Sequence, residues 1–247
     1  MVVADLPRAG LANLLYIWAK AYIFSSKTGQ RLYVNGFNQV KLGPILRRER
    51  TKRNYRGFFK YKTNYVIVFL FKLFKSKKIF YELDINFSHK CDLRDSLVVY
   101  NQIPRVSEGD IFQGLYEFRK EIRSEFFKML SSDILEKIKT LQKPVISVHV
   151  RRGDFKQRGW TKTNSYYIRK IVEVREHFGY ECKVLVFCDG FEYEIKEILE
   201  LNNVELIQNK DDILDMIQIS MSEYIITTPL SSFSMWAVFL SNEKPFV

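Results

Sequence analysis

From Pro144 onward the sequence alternates between two textures, and that alternation limits what the chain can fold into. Short runs rich in Val and Ile (VISVHV, KVLVFCD, VELIQ and EYIITTP) are separated by stretches with helical periodicity. Those stretches are NSYYIRKIVEVREHFG, FEYEIKEILELN, DDILDMIQISMS and SSFSMWAVFLSN. Strands alternating with helices of roughly 10–15 residues predict βαβ units and a parallel sheet. In sheets of that kind ligands bind beyond the carboxyl ends of the strands. Three unusual clusters fall at those ends: HVRRGD, FCDG and TTPLSSFS.

The N-terminal half is less regular. Residues before Gly10 read as loop. Gly10-Leu11-Ala12-Asn13 then leads into a helix in which Leu14, Ile17, Trp18, Ala21 and Tyr22 share a face, with Gly29 as its stop and RLYVN as a following strand. Lys41 to Lys62 carries nine basic residues against a single acid, Glu49, with Tyr55, Phe58, Phe59 and Tyr61 interleaved. It reads as exposed loop or short helices ahead of the apolar run Tyr65–Phe74. Residues 108–140 read as mostly helical, with Ser132 or Asp133 capping the second helix. The expected division is an N-terminal α/β half over 1–140 and a C-terminal Rossmann-like half over 144–247.

A chain of 247 residues, 47% hydrophobic, has enough apolar surface for a sizeable core. Its formal net charge of +11 favours an anionic partner: nucleic acid, an anionic membrane surface or a phosphorylated ligand. Cys91, Cys182 and Cys188 lack metal-binding spacing and suit a reducing compartment, with Cys188 a small core residue. The N-terminus has no signal-peptide pattern, and Tyr65–Phe74 is too short to span a bilayer and contains Lys72. The chain therefore reads as cytoplasmic. The basic 41–74 region leaves peripheral contact with the inner face of a membrane open.

Each cluster admits two readings from its residues alone. In HVRRGD, Arg151 and Arg152 suit a diphosphate, because a planar guanidinium binds phosphate through paired, charge-assisted hydrogen bonds. The plainer reading is an Arg–Asp pair at a turn, with His149 a satisfied core residue. Ser231, Ser232 and Ser234 stand at the start of a predicted helix, where free N–H groups attract anions, or they simply cap it. Asp189 either accepts hydrogen bonds from a ribose or guanine or caps the next helix. Gly10 either admits a ligand close to the backbone or makes a simple turn. The 41–62 stretch either binds nucleic acid, a membrane or a lipid diphosphate, or is a solvated face.

HVRRGDF followed downstream by SSFSMW resembles glycosyltransferase family 11, the α-1,2-fucosyltransferases, within a wider superfamily that shares the H-x-R-R-x-D motif. His149, Arg151, Arg152 and Asp154 match that motif. Asp212, Met216, Ile225, Ile226, Ser231 to Ser234 and Trp236 match the last one, and Gly10 and Asn13 resemble an N-terminal G-x-x-N. Ala12 stands where the family has Gly. Leu230 replaces an Asn and Met235 a Trp, and Pro229 and its neighbour look like a small insertion.

The resemblance implies an α/β, GT-B-like architecture with two Rossmann-like domains and a cleft, the donor held mainly by 144–247 and the acceptor on the 1–140 side. It implies inverting, metal-independent transfer from GDP-fucose to a carbohydrate acceptor, lipid-linked or not, in building a surface polysaccharide such as O-antigen. Arg152 would meet the β-phosphate with Arg151 in support. Ser231, Ser232, Phe233 and Ser234 would contact the phosphates, and His149 the nucleotide. Asp189 would read guanine, Gly10 and Asn13 would line the donor, and Asp154 would orient an arginine or act as base near the acceptor. Another nucleotide sugar is the alternative donor, and nucleic acid is the less favoured partner.

Overall fold

The computed structural model describes residues 1–39, 54–61, 78–82, 96–104 and 110–241. They form two compact units, one running to Ser131 and the other from Ser132. Each holds a four-stranded sheet in which every strand pairing is parallel.

The first unit contains β1 (Val2–Asp5), α1 (Leu11–Thr28), β2 (Leu32–Asn35), β3 (Lys78–Tyr81) and β4 (Ser96–Tyr100), in sheet order β2-β1-β4-β3. The residues before Gly10 are therefore not all loop. Val2–Asp5 is a central strand, paired on both sides. In α1, Leu14, Ile17, Trp18 and Ala21 of the expected face are buried and Tyr22 is half-buried, while Leu15, Ala19, Ile23 and Phe24 are buried as well. The helix ends at Gly29, whose φ of 66° puts it in the left-handed region where a side chain is disfavoured. A 3-10 turn at Tyr116–Phe118 leads into α2 (Arg119–Met129).

Tyr55, Phe58 and Phe59, read from sequence as part of an exposed basic stretch, are buried in this unit. The Phe37 and Phe59 rings lie 4.1 Å apart, and the Tyr55 hydroxyl accepts the Leu11 N–H at 2.7 Å. Rings committed to a core cannot stack on bases. In the same segment Arg56 and Lys60 are exposed and Tyr61 is half-buried, while residues 41–53 and 62, and Tyr65–Phe74, lie outside the described residues.

The second unit contains α3 (Ser132–Lys139), β5 (Ile146–Val150), α4 (Phe155–Arg158), α5 (Asn164–Phe178), β6 (Val184–Cys188), α6 (Lys196–Leu199), β7 (Val204–Ile207), α7 (Asp212–Ser220), β8 (Tyr224–Ile226) and α8 (Ser232–Leu240). The stretch expected to be one helix from Phe191 opens instead as a 3-10 turn, Glu192–Ile195, before the short α6. Strands β5 and β6 are buried along their whole length, as continuous Val/Ile runs in parallel sheets are. Val148, Val186, Ile171, Val174 and Ile198 form the core with Cys188. Fully burying each aliphatic side chain contributes about 1.5–3 kcal/mol.

The order of this sheet, β7-β6-β5-β8, locates the site. The chain steps from β5 to β6 to β7 in one direction, then returns across to β8 on the other side of β5. Between β5 and β8 the connections leave in opposite directions, so the carboxyl edge opens there into a crevice. No helix among the described residues is long and apolar enough to cross a membrane.

Candidate functional site

Two sequence clusters meet at that switch point. At the end of β5, His149 is buried, and its Nδ1 lies 2.6 Å from Ser234 Oγ. Its ring stacks on Phe233 at 4.9 Å between centroids. Burial, with a smaller contribution from the Arg151 charge, pushes the imidazole down to about 3. The ring is therefore neutral at physiological pH. Ser231 caps α8, with its Oγ facing the Ser234 N–H at 3.4 Å. Ser231 and Ser234 are buried, while Ser232 and Phe233 are half-buried. The N–H groups of those two stand at first-turn positions, which have no acceptor within a helix.

The two arginines have different surroundings. Arg151 reaches the site surface between two carboxylates, with Nη2 2.7 Å from Asp154 Oδ1 and Nη1 2.7 Å from Asp189 Oδ2. Arg152 is 7% exposed. Its guanidinium donates to the Lys162 carbonyl and, at 2.5 Å, to Asn164 Oδ1, and it lies 5.8 Å from the Tyr167 ring centroid. Asn164, expected as a helix cap, is thus a partner of Arg152, and the cap position of α5 belongs to Thr163. Of these partners only Asp154 lies within HVRRGD, as the Arg–Asp pair of the plainer reading; Asp189, Lys162, Asn164 and Tyr167 lie outside it.

Asp189, at the end of β6, is the organiser of this turn. Its Oδ1 accepts the N–H groups of Arg152 at 2.6 Å and Gly153 at 3.2 Å, while Oδ2 holds Arg151. The approach is close enough that a Cβ on Gly153 would run into the carboxylate. A Cβ on Gly190 would stand 2.6 Å from Arg152 Cβ. Both glycines are needed for space, which accounts for the G in RRGD and in CDG.

Thr228, which the sequence reading did not single out, joins the two clusters. Its Oγ1 donates to the His149 carbonyl at 2.7 Å and accepts the Arg151 N–H at 2.9 Å, with the Tyr167 hydroxyl at 2.7 Å. The one available signal was a threonine just past a strand and just before a proline.

Gly10 and Asn13 belong to the first unit, where the loop after β1 enters α1. Gly10 has an ordinary φ of −65°, and a Cβ there would meet nothing within 4 Å. The fold itself does not require glycine at that position. Asn13 Oδ1 is buried without a hydrogen-bond partner among the described residues.

The sequence matches the model of Glycosyl transferase family 11 over residues 67–246, well over half of the chain. No curated protein sequence matches it. Among solved structures it is similar to POFUT1 in complex with GDP-fucose, with a TM-score of 0.61 at 14% identity, covering 98% of this chain and 94% of that one. The fucosyltransferase NodZ from Bradyrhizobium gives 0.55 at 14% identity, over 97% and 92% of the two chains. NodZ α-1,6-fucosyltransferase co-crystallized with GDP gives 0.56 at 13%, over the same shares. The likeness is one of fold: the α/β, GT-B-like class that the motifs implied.

Proposed function

The chain belongs to glycosyl transferase family 11 and is a glycosyltransferase, and from that premise we propose that it moves L-fucose from GDP-fucose to a sugar hydroxyl of a surface glycan. The observation that carries this reading is the meeting of two anion-binding features at the β5/β8 switch point. One is the Arg151 guanidinium, and the other is the first turn of α8 with its serines. A nucleoside diphosphate is the ligand class that needs both.

In the proposed reaction the acceptor hydroxyl oxygen attacks the anomeric carbon as the bond to the β-phosphate oxygen breaks, its proton passes to a base for which Asp154 is the candidate, and the anomeric configuration inverts. The departing GDP gains negative charge. Arg151 and the N–H groups of Ser232 and Phe233 stabilise that charge without a metal ion. The geometry supports giving the phosphate contact to Arg151, with Arg152 holding the turn from beneath. Asp154 and Asp189 orient the Arg151 guanidinium, and His149 and Phe233 contact the nucleotide. Gly10 and Asn13 remain donor contacts on the resemblance alone.

One observation favours a second reading. Both oxygens of Asp189 already serve the arginine turn, so guanine recognition has no assigned residue, and another nucleotide sugar fits the same phosphate site. Calorimetric titration with GDP, UDP and dTDP, first without metal and then with Mg²⁺, separates the two. The expected result is selective GDP binding without metal, followed by transfer from GDP-fucose in an acceptor screen. Selective UDP or dTDP binding would keep the family and replace the donor. Failure to bind any of the three would overturn the nucleotide-sugar reading.

A further inference from the structure

The β5–β8 ladder ends at Val148 opposite Ile226. Continuing that register would place Thr228 opposite Val150. In a parallel ladder the backbone N–H and C=O of Thr228 would then bond the His149 carbonyl and the Arg151 N–H, the two groups flanking Val150. The Thr228 side chain makes both bonds instead, donating to His149 O at 2.7 Å and accepting from Arg151 N at 2.9 Å. Its own carbonyl is turned the other way and accepts the Ser231 N–H at 3.2 Å, at the cap of α8. The strands therefore separate by the length of a side chain, without orphaning the His149 carbonyl or the Arg151 N–H at the crevice.

We propose that Thr228 is the positioning residue that holds the Arg151 turn and the α8 N-terminus in one frame, a role that rests on the phosphate-site reading above. The hydrogen-bond inventory of the hydroxyl closes. Its one hydrogen goes to His149 O, and its two lone pairs take Arg151 N–H and the Tyr167 O–H. Tyr167 is fully buried, and its phenol is pushed up to about 12, chiefly by burial, so it stays protonated and able to donate. Its ring also faces the Arg152 guanidinium. One hydroxyl thus fixes the backbone of the arginine turn and, through its residue's carbonyl, the serine cap.

The test compares Thr228→Val, which keeps the shape and removes the hydroxyl, with Thr228→Ser, which restores it. Two quantities are measured on the full chain: GDP affinity by calorimetry, and exchange of the Arg151 amide hydrogen without ligand. Valine is expected to weaken GDP binding by roughly tenfold or more, the weight of one buried hydrogen bond, and to speed the exchange comparably. Serine should hold both within about threefold of wild type. A valine variant with wild-type affinity and wild-type exchange overturns the proposal. Because exchange needs no ligand, the two readings can fail separately. Faster exchange in a chain that binds no GDP refutes the donor and leaves the frame standing, whereas GDP binding with unaltered exchange refutes the frame alone. Should the valine variant not fold, Tyr167→Phe decides, since it removes one hydrogen bond to Thr228 and keeps the ring beside Arg152. A loss of about threefold in GDP affinity is then expected, with faster Arg151 exchange. No change in either overturns the frame.

Discussion

Arg151 and Arg152 are adjacent in the chain, yet one faces the crevice and the other lies beneath it. Truncating them should therefore have different consequences. Arg151→Ala removes a guanidinium held between two side-chain carboxylates beside the Phe155 ring, so the expected outcome is loss of transfer by about 100-fold or more with little change in unfolding temperature. Arg152→Ala leaves the Lys162 carbonyl and Asn164 without their buried partner, so activity and stability should fall together. A thermal melt beside a transfer assay on each variant checks both. His149 adds a pH dependence at the same scale. Its folded value, about 3, lies below the ordinary 6.5, so between those values the unfolded chain binds a proton that the folded chain does not. Stability contributed by the neutral ring is therefore complete above pH 6.5 and declines as the pH falls toward 3, by at most about 1.4 kcal/mol per pH unit. Denaturant unfolding from pH 7 to pH 4 should show a flatter profile for His149→Asn than for wild type. Parallel profiles would mean that the ring is not held neutral.

The turns between elements carry more of the site than the elements do. Gly153 faces an Asp189 carboxylate already fixed by three donors, so Gly153→Ala should destabilise by about 1–3 kcal/mol and weaken GDP binding in the same variant. Before α8, Leu230 has φ 63°, a left-handed conformation that Asn tolerates and Leu does not, and it is exposed. Leu230→Asn should therefore raise the unfolding temperature, by relief of up to about 1 kcal/mol, with little burial to lose. A lower melting temperature would show that the leucine side chain is needed where it stands. These turns also mark where the sequence stopped being legible. The spans of α5, α7 and α8 follow from helical periodicity, and β5 and β6 follow from uninterrupted apolar runs. By contrast, β1 is four residues long and runs directly into Leu6 and Pro7, so nothing local separates a central strand from a leading loop. The motif residues were legible as a group, because Arg, His, Ser and Asp at strand ends are unusual. Which arginine meets the crevice was not, since Asn164, Lys162 and Tyr167 reach Arg152 across a turn and a helix. Thr228 was hidden for a related reason: its role exists only because two strands part at that point.

At the scale of the second unit, stability and chemistry occupy opposite edges of one sheet. The carboxyl edge holds the arginine turn and the serine cap. At the amino edge, just before β6 and β7, a second buried arginine does structural work. Arg175, from the last turn of α5, donates to the carbonyl of Cys182 at 2.9 and 3.2 Å and to that of Asn202 at 2.5 Å, with Asn203 at 3.4 Å. The Asn203 carbonyl also accepts the Val184 N–H at 2.9 Å, so the guanidinium chiefly satisfies the Cys182 and Asn202 carbonyls, which precede the strands. Arg175→Leu keeps apolar bulk and removes every donor. It should cost about 1–3 kcal/mol of stability, because the part-buried carbonyls of Cys182 and Asn202 lose this partner together. The folded fraction should nevertheless bind GDP as wild type does, since the sheet separates this cluster from the β5/β8 crevice. Arg151→Ala should give the converse, with unchanged stability and lost binding. Measuring denaturant midpoints and GDP affinity on the two variants in parallel tests the partition directly. If Arg175→Leu weakened GDP binding as much as Arg151→Ala, strain at the amino edge would be reaching the crevice through β5 and β6. The site would then have to be described as a property of the whole sheet.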